Sequence, residues 1–172
     1  MGKIKNMERL HKLISGAALC VCLTFCSLAN AQSYRPQFGI RGGLTVSPTD
    51  WTGNLKVFPT IGMSVDFRIA KLPFYIETGA YYLNRYVYED DNNSLLFPAL
   101  LSYHIPLTPD MTLQPFCGPF VSYGFDNSEV DGGMRMGVGF SKSRFYVNCG
   151  YDISFHYGYD EDNFFVTAGY DF

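Results

Sequence analysis

The chain has 172 residues, of which 17% are charged, 17% are aromatic and 17 are glycine, and 13 Lys and Arg stand against 16 Asp and Glu for a formal charge of −3. The charged share lies below the ~25% of soluble domains, the aromatic content excludes a disordered chain, and the scatter of apolar residues excludes a bundle of membrane helices, which needs repeated runs of ~20. The length allows one domain, and the mildly acidic balance argues against a nucleic-acid partner, which would want a basic face.

Lys3, Lys5, Arg9 and Lys12 precede an uncharged stretch from Leu13 to Leu28, which ends in Ala29-Asn30-Ala31, a small-x-small cleavage site before Gln32. This order predicts a secretory signal peptide over 1–31, cleaved after Ala31, with 32–172 as the mature domain. A spanning helix would need ~17–25 apolar residues, slightly more than the stretch provides. A lipoprotein signal at Cys26 is the competing reading, since Leu23 stands three residues before it, but bulky Phe25 takes the place of a small residue. Removing 31 residues from 172 leaves 141, with 9 basic residues against 15 acidic and a net charge of −6. Cys20, Cys22 and Cys26 leave as well, so Cys117 and Cys149 remain.

The mature chain alternates with period two, the signature of strands. Phe38, Ile40, Gly42, Leu44 and Val46 share one parity, with Gln37, Gly39, Arg41, Gly43 and Thr45 on the other. Next, Val57, Ile61, Met63, Val65, Phe67 and Ile69 oppose Thr60, Gly62, Ser64, Asp66 and Arg68. Phe74, Ile76, Ala80, Tyr82 and Tyr86 oppose Glu77, Gly79, Tyr81 and Arg85. Phe97, Ala99, Leu101, Tyr103 and Ile105 oppose Pro98, Ser102 and His104, and Leu113, Cys117, Val121 and Tyr123 oppose Gln114, Gly118 and Ser122. Met134, Met136, Val138 and Phe140 oppose Asp131, Gly133, Arg135, Gly137 and Gly139. Phe145, Val147, Cys149, Tyr151 and Ile153 face away from Asn148, Gly150, Asp152 and Ser154; Phe164, Val166, Ala168, Tyr170 and Phe172 face away from Asn163, Thr167, Gly169 and Asp171.

The pattern predicts eight strands, each near the ~9–11 residues that cross a bilayer at a tilt. Longer polar connections (Ser47 to Lys56, Glu89 to Ser94, Asp126 to Val130, His156 to Asp162) alternate with tight ones (Ala70 to Leu72, Pro106 to Asp110, Ser141 to Ser143). Long outer loops and short periplasmic turns are the habit of outer-membrane barrels. A soluble barrel also alternates, so the second face has to decide. That face mixes Arg41, Asp66, Arg68, Glu77, Arg85, Arg135, Asp152 and Asp171 with glycines, which fit a narrow lumen, whereas the apolar, aromatic face would overfill one and suits lipid. Aromatics near the strand ends, Phe38, Phe74, Tyr86, Tyr103, Tyr123, Phe140 and Phe164, fit girdles at the two interfaces. Cys117 and Cys149 share the outward parity on strands separated by a third, roughly 10 Å apart, beyond the ~7 Å Cα limit of a disulfide. Two free thiols are expected.

Four stretches, Tyr75-Ile76-Glu77-Thr78-Gly79, Leu96 to Leu101, Gly118 to Tyr123 and Asp131 to Gly139, give the chain a resemblance to the small outer-membrane β-barrel proteins of Bacteroidetes-type bacteria, the PorT-like or outer membrane protein beta-barrel domain group. Leu96 stands where the group carries an acidic residue and Ser102 where it carries Lys or Arg. The terminal Tyr170-Asp171-Phe172 resembles the aromatic-ending signal read by the barrel-assembly machinery, with Thr167 in place of the usual upstream glycine. The resemblance implies a Gram-negative outer-membrane location and no assigned activity, and it allows, as an alternative role, a component associated with a secretion or gliding system.

For chemistry, the mature chain offers two histidines. His104, flanked by Ser102, points to the lumen near the periplasmic end. His156, near Asp152 and Asp160, sits at the outer rim, where membrane hydrolases and acyltransferases keep their sites, but no second histidine or exposed serine accompanies it in sequence. Glu89-Asp90-Asp91 and Asp160-Glu161-Asp162 lack the spacing of a Ca²⁺ loop and read as solvated tips that divalent ions bridge to lipopolysaccharide phosphates. Trp51 suits the headgroup belt. Arg41, Asp66, Arg68, Glu77, Arg85, Arg135 and Asp152 read as a packed lumenal ion-pair network, because isolated charges in so narrow a space are expensive.

These readings combine into an all-β chain, an eight-stranded antiparallel up-and-down transmembrane β-barrel in the cell outer membrane, with no catalytic, metal or cofactor site. The expected role is structural or surface-interacting, with a narrow pore for ions or very small solutes as the alternative. Expected partners are outer-membrane lipid, lipopolysaccharide and, through Tyr170 and Phe172, the barrel-assembly machinery; the barrel is expected to be a monomer that binds no nucleic acid.

Overall fold

A computed structural model describes residues 35–48, 55–69, 71–87, 90–125, 130–155 and 162–172. The expected signal peptide with Cys26, Trp51, His156 and the acidic tips at Glu89 and Asp160-Glu161 lie outside the described residues. The alternating runs form β1 (Gln37–Pro48), β2 (Leu55–Arg68), β3 (Phe74–Val87), β4 (Asp90–Tyr103), β5 (Ile105–Thr108), β6 (Met111–Gly124), β7 (Val130–Lys142), β8 (Phe145–Ser154) and β9 (Asn163–Asp171). Neighbours pair in the order β4-β3-β2-β1-β9-β8-β7-β6-β5, and β4 also pairs with β6, so the sheet closes. Short β5 prolongs the course of β4 past His104 against the same neighbour, β6. The wall is therefore an eight-stranded antiparallel barrel, as the period-two pattern predicts.

The 14 residues of β2, β3, β4 and β6 each extend about 45 Å, which at ~45° of tilt crosses a hydrocarbon core of ~30 Å. Parity then assigns the two faces. Phe38, Ile40, Leu44, Ile61, Met63, Phe97, Leu101, Met136, Val147 and Val166 point outward and are exposed, while Arg41, Thr45, Ser64, Glu77, Ser102, Ser122, Arg135, Asn148, Asp152 and Thr167 are buried inside. Apolar out and polar in is the reverse of a water-soluble barrel and requires an apolar surround. At the end with tight turns, outward aromatics stack in a belt: Phe74 lies 5.0 Å from Tyr103, and Tyr170 lies 5.5 Å from Phe145 and 5.6 Å from Phe172. Tyr123 and Phe125, 5.6 Å apart, mark the opposite end.

Two expectations about detail change. The third connection is short, because the ladder of β3 and β4 continues through Tyr86↔Asp91 and Val87↔Asp90, and Asp90 and Asp91 are strand residues. The fourth is reduced to Pro109 and Asp110, because Ile105 to Thr108 stays paired with β6. Between Lys142 and Phe145 the chain reverses through a two-residue turn with Ser143 at φ 57°, the first central position of the primed turns that match strand twist.

The larger correction concerns the interior. Glycines and charges do not fill it alone: Tyr81, Phe116, Phe120, Tyr146 and Phe165, with Leu83, Leu96 and Leu100, are buried there. The rings fit because each faces a glycine on the adjacent strand. Tyr81 lies opposite Gly62, Phe116 opposite Gly137, Phe120 opposite Gly133 and Phe165 opposite Gly150. A methyl group on Gly133 would reach within 2.5 Å of Phe120 Cζ, and one on Gly150 within 2.6 Å of Phe165 Cζ. The missing side chains are the space the rings occupy, a device that also pins register.

Candidate functional site

The charged groups of the lumen sit on strands chosen by register. Arg135 on β7 lies directly opposite Asp152 on β8. Its Nε donates to Oδ1 at 2.7 Å and its Nη2 to Oδ2 at 2.8 Å, a bidentate pair. The same guanidinium lies 4.3 Å from the Phe165 ring centre and 5.4 Å from that of Tyr81, so it crosses the lumen from β7 toward β3 and β9. Arg41 on β1 meets Asp171 on β9 at 2.6 Å and lies 4.3 Å from the Tyr146 ring on β8.

Of the seven residues expected to share one network, Arg135 and Asp152 therefore pair with each other, and Arg41 pairs with Asp171. Arg68 stands near the tight-turn end, where its Nε donates to Leu72 O at 3.3 Å and its guanidinium lies 6.0 Å from the Tyr75 ring. The backbone of Arg85 pairs with Asn92 at the other end of β3, and its side chain is outside the described residues. Asp66 and Glu77 face each other across β2 and β3, with Tyr81 Oη donating to Glu77 Oε1 at 3.4 Å. Asp171 is the charged partner the seven omitted, and Tyr81, Tyr146 and Phe165 are the ring platforms. Both become legible only once the barrel is closed, which brings the last strand beside the first.

Hydrogen bonds continue the interior packing toward the long-loop end. Ser47 Oγ donates to Asn163 Oδ1, Thr167 Oγ1 donates to Asn148 Oδ1, and Gln114 Nε2 donates to Ser141 Oγ at 3.0 Å near the turns. His104, past Tyr103, stacks flat on Tyr75 with ring centres 3.7 Å apart, and its Nε2 meets Ser102 Oγ at 3.3 Å. Burial, and then the charge of Arg68, push its pKa down to about 4. Ser102 is buried and no carboxylate bonds to the imidazole among the described residues, so this contact lacks both access and an orienting acid. The described residues contain no group of three metal-ligating side chains. Cys117 and Cys149 are free, on the two strands that flank β7.

A closed antiparallel barrel with an apolar, girdled exterior and a polar interior crossed by ion pairs is an integral membrane barrel of the outer-membrane type. The chain belongs to the outer membrane protein beta-barrel domain family, whose model matches residues 17–172. Similar solved structures include OprG from Pseudomonas aeruginosa, at 15% identity and a TM-score of 0.50 over 79% of this chain and 95% of that one. Ail, the attachment invasion locus protein of Yersinia pestis, in complex with the heparin analogue sucrose octasulfate, is 12% identical at a TM-score of 0.50 over 81% and 100%. The N-terminal β-barrel domain of Pseudomonas aeruginosa OprF is 14% identical at 0.49 over 79% and 97%. At these identities the likeness is one of fold. Comparison with curated proteins gives no match.

Proposed function

We propose that this chain resides in the cell outer membrane as a non-enzymatic protein, structural or surface-interacting, whose lumen is plugged by its own side chains. One observation carries the reading: large side chains fill the interior, and some from strands that are not neighbours meet there. Phe116 of β6 and Phe165 of β9 lie 6.4 Å apart, centre to centre, and Leu100 of β4 packs in the same cluster. A second cluster joins Tyr81 and Leu83 of β3, Leu96 of β4 and Phe120 of β6. Side chains that touch across an eight-stranded interior leave little room for solute. Specificity then falls to the acidic outer connections, where divalent ions would link carboxylates to lipopolysaccharide phosphates.

The same reading takes residues 1–31 as a signal peptide cleaved after Ala31 and 32–172 as the barrel. It places the chain with the PorT-like proteins of Gram-negative bacteria on the four stretches quoted above, with a component of a secretion or gliding system as the alternative role. It assigns recognition by the barrel-assembly machinery to outward-facing Tyr170 and Phe172, and it takes the barrel as a monomer. Reconstitution in planar bilayers tests the plug: no steps above the bare-membrane current are expected. Reproducible unitary conductance would instead establish the narrow pore.

A further inference from the structure

On the inward face of the described strands, the guanidinium groups of Arg41, Arg68 and Arg135 accompany the carboxyl groups of Asp66, Glu77, Asp131, Asp152 and Asp171; Arg68 is engaged at the tight-turn end with Leu72 O and the Tyr75 ring, and Asp131 stands at the other end beside Ser122. Asp171 and Asp152 are taken by the two ion pairs. The carboxyls left over, Asp66 and Glu77, are direct cross-strand partners on the inward face, where Cβ atoms stand about 5 Å apart. Glu77 is only 4% exposed and its one hydrogen bond is the 3.4 Å contact from Tyr81 Oη, while Asp66 Oδ1 is buried with no partner. Two like charges held side by side in a water-poor interior repel strongly and must be neutralised.

A second observation points to the same place. Ser64, two residues from Asp66 on the same inward face, is 1% exposed, and its Oγ has no hydrogen-bond partner. Buried polar atoms are ordinarily satisfied, so this hydroxyl is an unused oxygen on the same face as Asp66. The other charged and titratable groups facing the pair are Arg41 on β1, Arg68 on β2, Tyr81 on β3, Arg135 on β7, Tyr146 on β8 and Asp171 on β9. Arg41 and Arg135 form their ion pairs with Asp171 and Asp152, Arg41 Nε is itself buried without a partner, and both guanidiniums reach the pair through the longer-range field.

We infer that Asp66 and Glu77, with Ser64 beside them, form a lumenal site for one small monovalent cation. The shared chemistry is a single positive charge held between two carboxylates. A proton bridging the two carboxyls and an alkali-metal ion that also takes Ser64 Oγ are the two sources of that charge. The site has two carboxyls and one hydroxyl, too few ligands for the oxygen cage of calcium.

The test uses the full mature barrel in detergent, with heat-modifiable gel migration and infrared spectroscopy as readouts. Replacing choline by sodium at constant ionic strength separates the sources. If sodium occupies the site, the unfolding midpoint rises by about 3–10 °C per tenfold increase above the dissociation constant, and the rise is lost in Asp66→Asn and Glu77→Gln. If a proton occupies it, the midpoint ignores sodium, and the wild type at pH 7 shows the carbonyl stretch of a protonated carboxylic acid, which disappears in both variants. Wild-type protein with neither signal, or with a band that persists in both variants, overturns the site. The wild-type measurements alone decide the matter if either variant fails to insert.

Discussion

Arg135 and Asp152 lie directly opposite each other on β7 and β8 and form a bidentate pair inside the barrel, with the guanidinium resting 4.3 Å from the Phe165 ring. Neither partner has an alternative in water, so each is costly without the other. Asp152→Ala and Arg135→Ala are expected to destabilise the barrel by about 3–5 kcal/mol each, and Arg135→Met with Asp152→Leu by much less than the two together. Urea unfolding in lipid vesicles, followed by tryptophan-independent far-ultraviolet circular dichroism, measures both. Additive losses in the double variant would contradict the pairing.

Two adjacent glycines should behave in opposite ways. A methyl group at Gly132 meets nothing closer than Phe120 O at 3.7 Å, whereas one at Gly133 lies 2.2 Å from Ile153 O of the adjacent strand and 2.5 Å from Phe120 Cζ. Gly132→Ala is expected to be neutral or stabilising by up to about 1 kcal/mol, since it stiffens the unfolded chain. Gly133→Ala should cost about 1–3 kcal/mol, because the ring or the wall has to move. Equal effects at the two positions would show that neither the adjacent strand nor the ring approaches Gly133 this closely.

Those glycines also explain what the sequence could and could not reveal. Strand existence and facing follow from period two, which is local and places Ile40, Met63, Leu101 and Val147 outward, whereas strand ends at the third and fourth connections depend on pairing with the neighbouring strand. Phe116, Phe120, Tyr146 and Phe165 share parity with the polar residues, but their admission to a narrow lumen depends on Gly137, Gly133, Gly139 and Gly150 of adjoining strands. That is information about register, and it resides in no single strand. The Arg41–Asp171 pair is invisible for a related reason, since it exists only where the two ends of the sheet meet.

His104 should make stability fall in a defined acidic window. Burial first, and then the charge of Arg68, push its pKa down to about 4 from the ordinary imidazole value of 6.5. The unfolded chain therefore takes up a proton as pH falls below about 6.5, while the folded barrel does not until about 4. The contribution is fully present above pH 6.5 and is progressively lost between these values, then levels off. The imidazole signals in a magnetic-resonance titration are expected to move near pH 4, and His104→Phe, which keeps the stack on Tyr75, should flatten the acidic limb of the stability profile. A midpoint near 6.5 in the folded barrel would contradict this packing.

The two thiols face lipid on strands separated by β7. Cys117, exposed on that face, is expected to react with a lipid-soluble maleimide and to resist a charged one when the barrel is in vesicles. Oxidant should produce no internal disulfide, because two strand spacings, about 10 Å, exceed the reach of the bond. Reaction of Cys117 with the charged reagent in intact vesicles would place that wall in water.

Ser143 adopts a positive φ that glycine accepts without strain. Ser143→Gly is expected to stabilise the folded barrel by up to about 1 kcal/mol, read as a higher urea midpoint with unchanged slope. A lower midpoint would mean that the serine side chain supports the turn.

The closure of β1 on β9 sets the order of assembly. Leu44 faces Val166, Arg41 pairs with Asp171, and the amide of Phe172 donates to Phe38 O at 2.8 Å. These bonds join β1 to β9, so a chain cut before β9 cannot make them. Until β9 is in place, the first strand keeps an exposed edge able to recruit any other strand it meets. The seam that seals the finished wall is also the hazard of the unfinished one.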